Sequence, residues 1–185
     1  HHPDAIPYPA QTYQNSDNIP NNAPIDAIIN LAGAPIHKRW SGSYKTTLIT
    51  SRLETTRNLI HLIGRLHQKP KALISASAVG YYGAYDESPQ FTEDSQGQEC
   101  FSHLLCRQWE ETAYQASTQY GVRTCLTRFG VVLGPDGGML KQLHLPFKLG
   151  LGGKIGHGQQ HLSWVHIDDV VKALTTLMTD DTAQG

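Results

Sequence analysis

Short apolar runs, each ending in a glycine- or serine-bearing turn, alternate along this chain with longer stretches in which apolar residues return every three or four positions. The run from Asp26 to Ala32, DAIINLA, predicts a buried strand, and Gly33 follows at once to supply a permissive turn. From about Tyr44 to His67 the pattern becomes helical, with Leu48, Leu53 or Arg52, Thr56, Leu59, Ile60 and Ile63 near one face, and Lys69 and Pro70 close it. Lys71 to Gly83, KALISASAVGYYG, begins with Ala72, Leu73 and Ile74. That apolar run is too brief for a core helix and too continuous for a half-wet strand, as expected where a parallel sheet is covered on both faces. It then turns into an elbow of serines, tyrosines and glycine. A polar, turn-rich stretch, Tyr85 to Gln98, leads to a second helix in which Phe101, Leu104, Leu105, Trp109, Ala113 and Ala116 recur up to Tyr120, with Gly121 as its cap. Val122 to Phe129 predicts a third strand, followed by a glycine-bearing loop, GVVLGPDGG. Beyond it come a helix at Met139 to Lys148 limited by Pro146, a glycine-dense loop at Leu149 to Gln160, an extended piece at Ser163 to His166, and a last helix that Asp168 caps and whose Val170, Val171, Leu174, Leu177 and Met178 share a face.

Strand, helix, strand, helix, strand predicts an α/β fold: a Rossmann-type, doubly wound parallel sheet, with the strands at 26–32, 72–77 and 123–129 adjacent and joined by right-handed crossovers. No internal repeat or linker divides residues 1–185, so one domain is expected, irregular over 1–25 where prolines and amide side chains show no period. At 39% hydrophobic and 17% charged residues the composition is that of a globular protein, and a formal net charge of -1 offers no field to recruit nucleic acid or an anionic membrane. No apolar run approaches the roughly 20 residues of a membrane span, and no secretory signal opens the chain, so the cytoplasm is the expected compartment.

Open α/β sheets bind ligands outside the carboxyl ends of their strands, so the candidate chemistry lies in the strand-end turns. Ser75 and Ser77 bring hydroxyls there, either to hydrogen-bond loop backbone or to meet a ligand, and Tyr81 and Tyr82 bring phenols that either pack or react. Cys100, Cys106 and Cys125 lack CxxC spacing and read as buried free thiols. His157, His161 and His166 with Asp168 lack ligand spacing, so no metal site is expected. GLGGKIG at 150–156 has neither the spacing nor the flanking strand and helix of a nucleotide loop. Trp40, beside Lys38 and Arg39 at a helix entrance, reads as a packing anchor.

NLAG at 30–33, SASAVGYYG at 75–83, RFGVVLGP at 128–135 and SWVHIDDVV at 163–171 together resemble the extended short-chain dehydrogenase/reductase superfamily. KRW at 38–40, SRLETTR at 51–57, LLCRQWE at 104–110 and LPFKLGLGG at 145–153 are similar to its atypical, sugar-nucleotide epimerase-like branch, over about residues 26–180. The resemblance implies an NAD-dependent epimerase/dehydratase-like protein that takes NADP or NAD and a small-molecule substrate. It places Asn30, Ala32 and Gly33 near the cofactor's phosphates and ribose, and Ser75, Arg128, Gly130 and Val131 along the rest of the cofactor-binding strand ends. Ser77 takes the place of the hydroxyl that meets the substrate oxygen, with Tyr81 as a second catalytic candidate, and His166 and Asp168 belong to a motif tying the substrate side to the sheet.

Two departures bear on the chemistry. No glycine precedes Gly33, so the glycine-rich fingerprint for a pyrophosphate is missing, and the chain is expected to lack the first phosphate-binding strand and helix of a longer protein. Aligning Glu110 with the acidic residue that follows the superfamily's Tyr-x-x-x-Lys puts Ser102 at the tyrosine place and Cys106 at the lysine place, and neither can act as that pair does. Two readings stay open: an oxidoreductase or epimerase on a small carbonyl or sugar-like substrate, or a dinucleotide-binding module without turnover, acting in redox sensing or interaction. NAD versus NADP, substrate and oligomeric state are not legible.

Overall fold

The computed structural model describes residues 10–85, 89–135, 137–154 and 156–183; residues 1–9 of the irregular opening and 86–88 of the polar stretch after the elbow lie outside them. Three parallel strands, β1 (Ala27–Asn30), β2 (Ala72–Ala78) and β3 (Arg123–Phe129), form one sheet in that order. They are joined by α1 (Gly42–Arg65) and α2 (Phe101–Tyr120), so the predicted α/β architecture is present. Leu73 and Ile74 show why β2 reads as a continuous apolar run. Side chains of neighbouring strand residues point to opposite faces, and each face has its own core. Leu73 joins Ile28, Ile60, Ile63, Ala113, Ala116 and Val122 beneath α1 and α2. Ile74 joins Ala72, Cys125, Val170 and Leu174 beneath α4 (Ile167–Thr179).

The helices stop and start by local chemistry. Ser41 caps α1 by accepting from the Tyr44 amide, and Lys69 Nζ closes its far end by donating to the Gly64 and Leu66 carbonyls at 2.8 and 2.7 Å. Gly121 caps α2 at φ 67°, a left-handed conformation that glycine adopts without strain. Trp40 meets Phe101 edge to face at 5.4 Å and donates its indole N–H to the Ile36 carbonyl, a packing role.

Several boundaries and caps differ from expectation. β1 is shorter than 26–32, because Leu31 and Ala32 have left the ladder and stand exposed. Gly33 is not in the left-handed region, so its use is space rather than an unusual turn. The loop expected after β3 contains β4 (Val131–Leu133), which pairs in parallel with β5 (Trp164–His166) as a second, two-stranded sheet. α3 (Gly138–Lys148) runs through Pro146, tolerated because the helix ends two residues later. The cap of α4 is His166 rather than Asp168: the helix leaves β5 without a linker, so His166 Nδ1 accepts from the Asp168 amide, and Asp168 falls in the first turn.

Candidate functional site

At the carboxyl end of β1, buried Asn30 donates through Nδ2 to Thr56 Oγ1 at 3.0 Å and to Ser75 Oγ at 3.3 Å, while its Oδ1 accepts from the Ala32 amide. Thr56 also accepts from Trp109 Nε1 at 3.0 Å and donates to the Arg52 carbonyl at 2.7 Å. One threonine hydroxyl on α1 therefore ties strand end, α1 and α2 together. Ser75 has no exposed surface, and its hydroxyl holds Asn30 from behind. Ala32 and Gly33 form the exposed tip of the loop.

The ends of β2 and β3 hold a second, charged network. Ser77, 4% exposed, donates to Glu110 Oε1 at 2.5 Å. Arg128 reaches the same carboxylate with Nε on Oε1 and Nη2 on Oε2, both at 2.9 Å. Such a fork gives charge-assisted hydrogen bonds in a fixed plane. Arg128 Nη1 donates to Tyr82 Oη at 3.2 Å and to the Glu93 carbonyl at 2.8 Å, and its guanidinium stacks 3.5 Å from the centroid of the Tyr81 ring. The hydrogen bonds to Glu110 hold Arg128 above arginine's ordinary pKa, against the opposing effect of burial. Beside this network, burial pushes the Cys106 thiol up, against hydrogen bonding with Ser77.

The elbow that carries these groups is a single 3-10 turn, Val79–Tyr81, clamped from two sides. A Cβ on Gly80 would stand 3.2 Å from Ser102 Cβ and 3.7 Å from Cys106 Sγ, so the turn lies directly on α2. A Cβ on Gly97 would collide with the Tyr81 carbonyl and with His103 Nδ1, and those two groups also hydrogen-bond to each other. Beyond Tyr82 a cleft of about 630 Å³ opens between the elbow and the glycine-dense loop, lined by Val79, Tyr82, Tyr85, Phe91, His157 and His161 among others. Tyr82 and Phe91 stack there at 4.8 Å. Gly130 and Val131 hold the loop's far end. A Cβ on Gly130 would stand 2.6 Å from the Ser163 carbonyl, which accepts from the Val131 amide at 2.8 Å.

The sequence model of the NAD dependent epimerase/dehydratase family matches residues 11–185. The chain belongs to that family. An epimerase family protein of Staphylococcus saprophyticus is 42% identical over 182 residues, 96% of this chain and 60% of that protein. The crystal structure of a human epimerase family protein, SDR39U1 isoform 2, solved with NADPH, superposes with a TM-score of 0.78 at 37% identity, covering 86% of this chain and 55% of the human one. A nucleoside-diphosphate sugar epimerase of Corynebacterium glutamicum gives 0.74 at 34% identity, over 86% of this chain and 33% of that one. The chain thus spans less than two thirds of the length of these relatives.

In this epimerase/dehydratase chain the residues singled out from the sequence fall into three groups. Asn30, Ala32, Gly33 and Ser75 gather at the end of β1; Ser77, Tyr81 and Arg128 gather around Glu110; Gly130 and Val131 stand apart, where β4 meets β5. Sequence reasoning used Glu110 only as an alignment marker. Its signal was available: Glu110 lies on the face of α2 that carries Cys106, Trp109 and Ala113, and a carboxylate on a buried face requires a partner. Ser102 and Cys106 face the elbow from α2. Among the described residues no cluster of three His, Cys, Asp or Glu side chains could hold a metal ion, and no helix is long and apolar enough to cross a membrane.

Proposed function

We propose that this chain forms the dinucleotide-binding core of an NAD(P)-dependent oxidoreductase or epimerase acting on a small carbonyl or sugar-like substrate. The observation that carries the reading is the convergence of Ser77, Tyr81, Tyr82, Glu110 and Arg128 at the carboxyl ends of two adjacent parallel strands, beside a cleft of about 630 Å³. The residues present fit a dinucleotide. The ends of β1, β2 and β3 lie side by side, and the loop over them is exposed at Ala32 and Gly33, where no side chain exceeds a methyl group. The nicotinamide, when bound, supplies the hydride chemistry. Ser77 spends its proton on Glu110, so toward a ligand its oxygen is an acceptor, suited to a substrate hydroxyl, and Glu110 stands behind it to take up that hydroxyl's proton through the serine. Arg128 fixes the carboxylate in one plane behind the serine.

The second reading, a dinucleotide-binding module without turnover, draws on the near-complete burial of Ser77 and on Ser102 and Cys106 at the positions facing the elbow. Calorimetric titration of the full-length protein with NADPH and with NADH tests what the two readings share. Single-turnover nicotinamide absorbance with a panel of small alcohols and ketones separates them. Binding with hydride transfer that is lost in Ser77→Ala supports the enzyme; binding without transfer supports the module; no binding of either nucleotide overturns both.

A further inference from the structure

The cleft beyond Tyr82 has two kinds of wall. One is aromatic: Phe91 meets Tyr82 face to face at 4.8 Å, with the planes 15° apart, and meets Tyr85 at 5.1 Å in a tilted contact. All three rings line the cleft, and Tyr85 is 43% exposed, so the aromatic wall reaches the open side of the space. The other wall belongs to the glycine-dense loop and is polar, with His157, Gln159 and His161. His157 Nδ1 accepts from the Gln159 amide at 3.1 Å, which leaves Nε2–H as the donor that this ring can offer. The volume of about 630 Å³ lies within the range of small-molecule sites.

The charges around this space are arranged against an anion. Among the described residues no Lys, Arg, Asp or Glu side chain lines it. Arg128, which reaches Tyr82 Oη, is forked onto Glu110 and spends a further donor on the Glu93 carbonyl. Tyr82 also borders a second cavity of about 540 Å³, and the acids lining that one are Glu93 and Asp94. A phosphate beside Tyr82 would therefore face carboxylates across one ring, while the guanidinium there is already paired. It would give up hydration without a counter-charge to replace it.

We propose that this cleft takes an uncharged, polyhydroxylated ring, a free sugar or a cyclitol, in preference to a sugar phosphate or a nucleotide sugar. The inference rests on the reading of the cleft as the substrate side of a dinucleotide site, and it narrows the class of substrate. Such a ring has C–H faces and a hydroxyl edge. Its face buries apolar surface against the wall of Tyr82, Phe91 and Tyr85, and its edge exchanges hydrogen bonds with the imidazoles and amide opposite.

The test uses the full-length protein. NADPH affinity is measured by calorimetry, and D-glucose, myo-inositol, glucose 6-phosphate and UDP-glucose are compared in saturation-transfer NMR titrations with and without NADP. The expected result is that glucose or myo-inositol binds at least about tenfold tighter than either phosphorylated probe at low salt. Glucose as the tighter of the two assigns a sugar, and myo-inositol a cyclitol. Tyr85→Ala removes the exposed end of the aromatic wall and should weaken the neutral ring at least about fivefold, with urea unfolding unchanged. Glu93→Gln combined with Asp94→Asn should strengthen glucose 6-phosphate about threefold or more at low salt and have little effect at high salt. A phosphorylated probe that binds the parent as tightly as the neutral rings, or a folded Tyr85→Ala protein that binds them within twofold of the parent, overturns the inference. Parent protein that binds NADPH and none of the probes overturns the inference and leaves the dinucleotide reading standing. Neutral rings bound without NADPH binding overturn the dinucleotide reading alone, and binding of neither overturns both.

Discussion

Two arginines stand at strand ends of the same sheet, on either side of β2, and are treated in opposite ways. Arg128, at the end of β3, is forked onto Glu110, hydrogen-bonded to Tyr82 and stacked on Tyr81. Arg52, beneath the end of β1, has carbonyls and an indole but no carboxylate, although it is the more buried of the two. A buried cation that is fully paired contributes to the arrangement of its own surroundings. One left without a counter-charge costs stability unless neutral hydrogen-bond partners offset its burial. The β2–β3 end is therefore a network that pairs its charges internally, and the β1 end holds a buried cation with neutral partners among the described residues.

The largest expected effect breaks the paired side. Glu110→Ala leaves Arg128 without its counter-charge and Ser77 without its acceptor, and should cost about 3–5 kcal/mol in urea unfolding. The double replacement Glu110→Leu with Arg128→Met should cost far less than Glu110→Ala alone, because no charge is then stranded. A cost below about 1 kcal/mol for Glu110→Ala would mean that the pair is as weakly coupled as a surface ion pair, and the contrast between the two arginines would fail.

Thr56→Val tests the brace on the other side. It keeps shape but strands the donors of Asn30 and Trp109, which should cost about 2–3 kcal/mol. A near-neutral result would show that the β1 end is not held by that hydroxyl.

Thiol chemistry asks whether Arg52 has a hidden partner. If Cys106 were a thiolate, it would compensate Arg52 and react readily. Burial instead pushes Cys106 above the ordinary thiol range, so its thiolate forms only at higher pH. Cys100 is only partly buried, against the expectation of a buried thiol; burial is the largest single effect on it and raises its pKa, but hydrogen bonds from the Ser102 hydroxyl, from the His103 and Ser102 amides at the start of α2 and from the Ala84 backbone together lower it, so its thiolate forms at lower pH than an ordinary cysteine's. Alkylation followed by peptide mass analysis should modify Cys100 at least about tenfold faster than Cys106 near neutral pH, with the Cys100 rate rising at the lower pH of the two. Faster reaction at Cys106 would make the arginine and thiol a pair and remove the contrast.

The smallest effect is on stability in Gly33→Ala. The new methyl group meets the far end of a flexible side chain, so stability should change by no more than about 0.5 kcal/mol. NADPH affinity should nevertheless fall several-fold, because the methyl group also lies on the exposed loop over the strand ends where the proposed dinucleotide rests. A loss of stability without a loss of affinity would make Gly33 a packing residue only.

Much of this was legible before any coordinates. The 3.6-residue period of α1 and α2, the continuous run of Ala72, Leu73 and Ile74, and the glycine after Tyr120 determine a doubly covered parallel sheet, because burial and backbone conformation are recorded residue by residue. The same local record put Ser77 near a strand end, while Asn30 and Arg128 were singled out by the family resemblance. It did not show that the loop after Phe129 pairs with Trp164–His166, since a three-residue strand has too few positions to display a period. It could not distinguish Arg52 from Leu53 on the buried stripe of α1; both are buried, and which atoms each meets depends on the loop from another part of the chain. Nor could it match Glu110 with Arg128 and Ser77, because electrostatic partners 18 and 33 residues apart leave no mark on the spacing of either. The sequence by itself determined which residues are apolar, where the chain must turn and which hydroxyls sit at strand ends. Only the tertiary structure decided which buried charge found a partner, because pairing is a matter of distance in space and not along the chain.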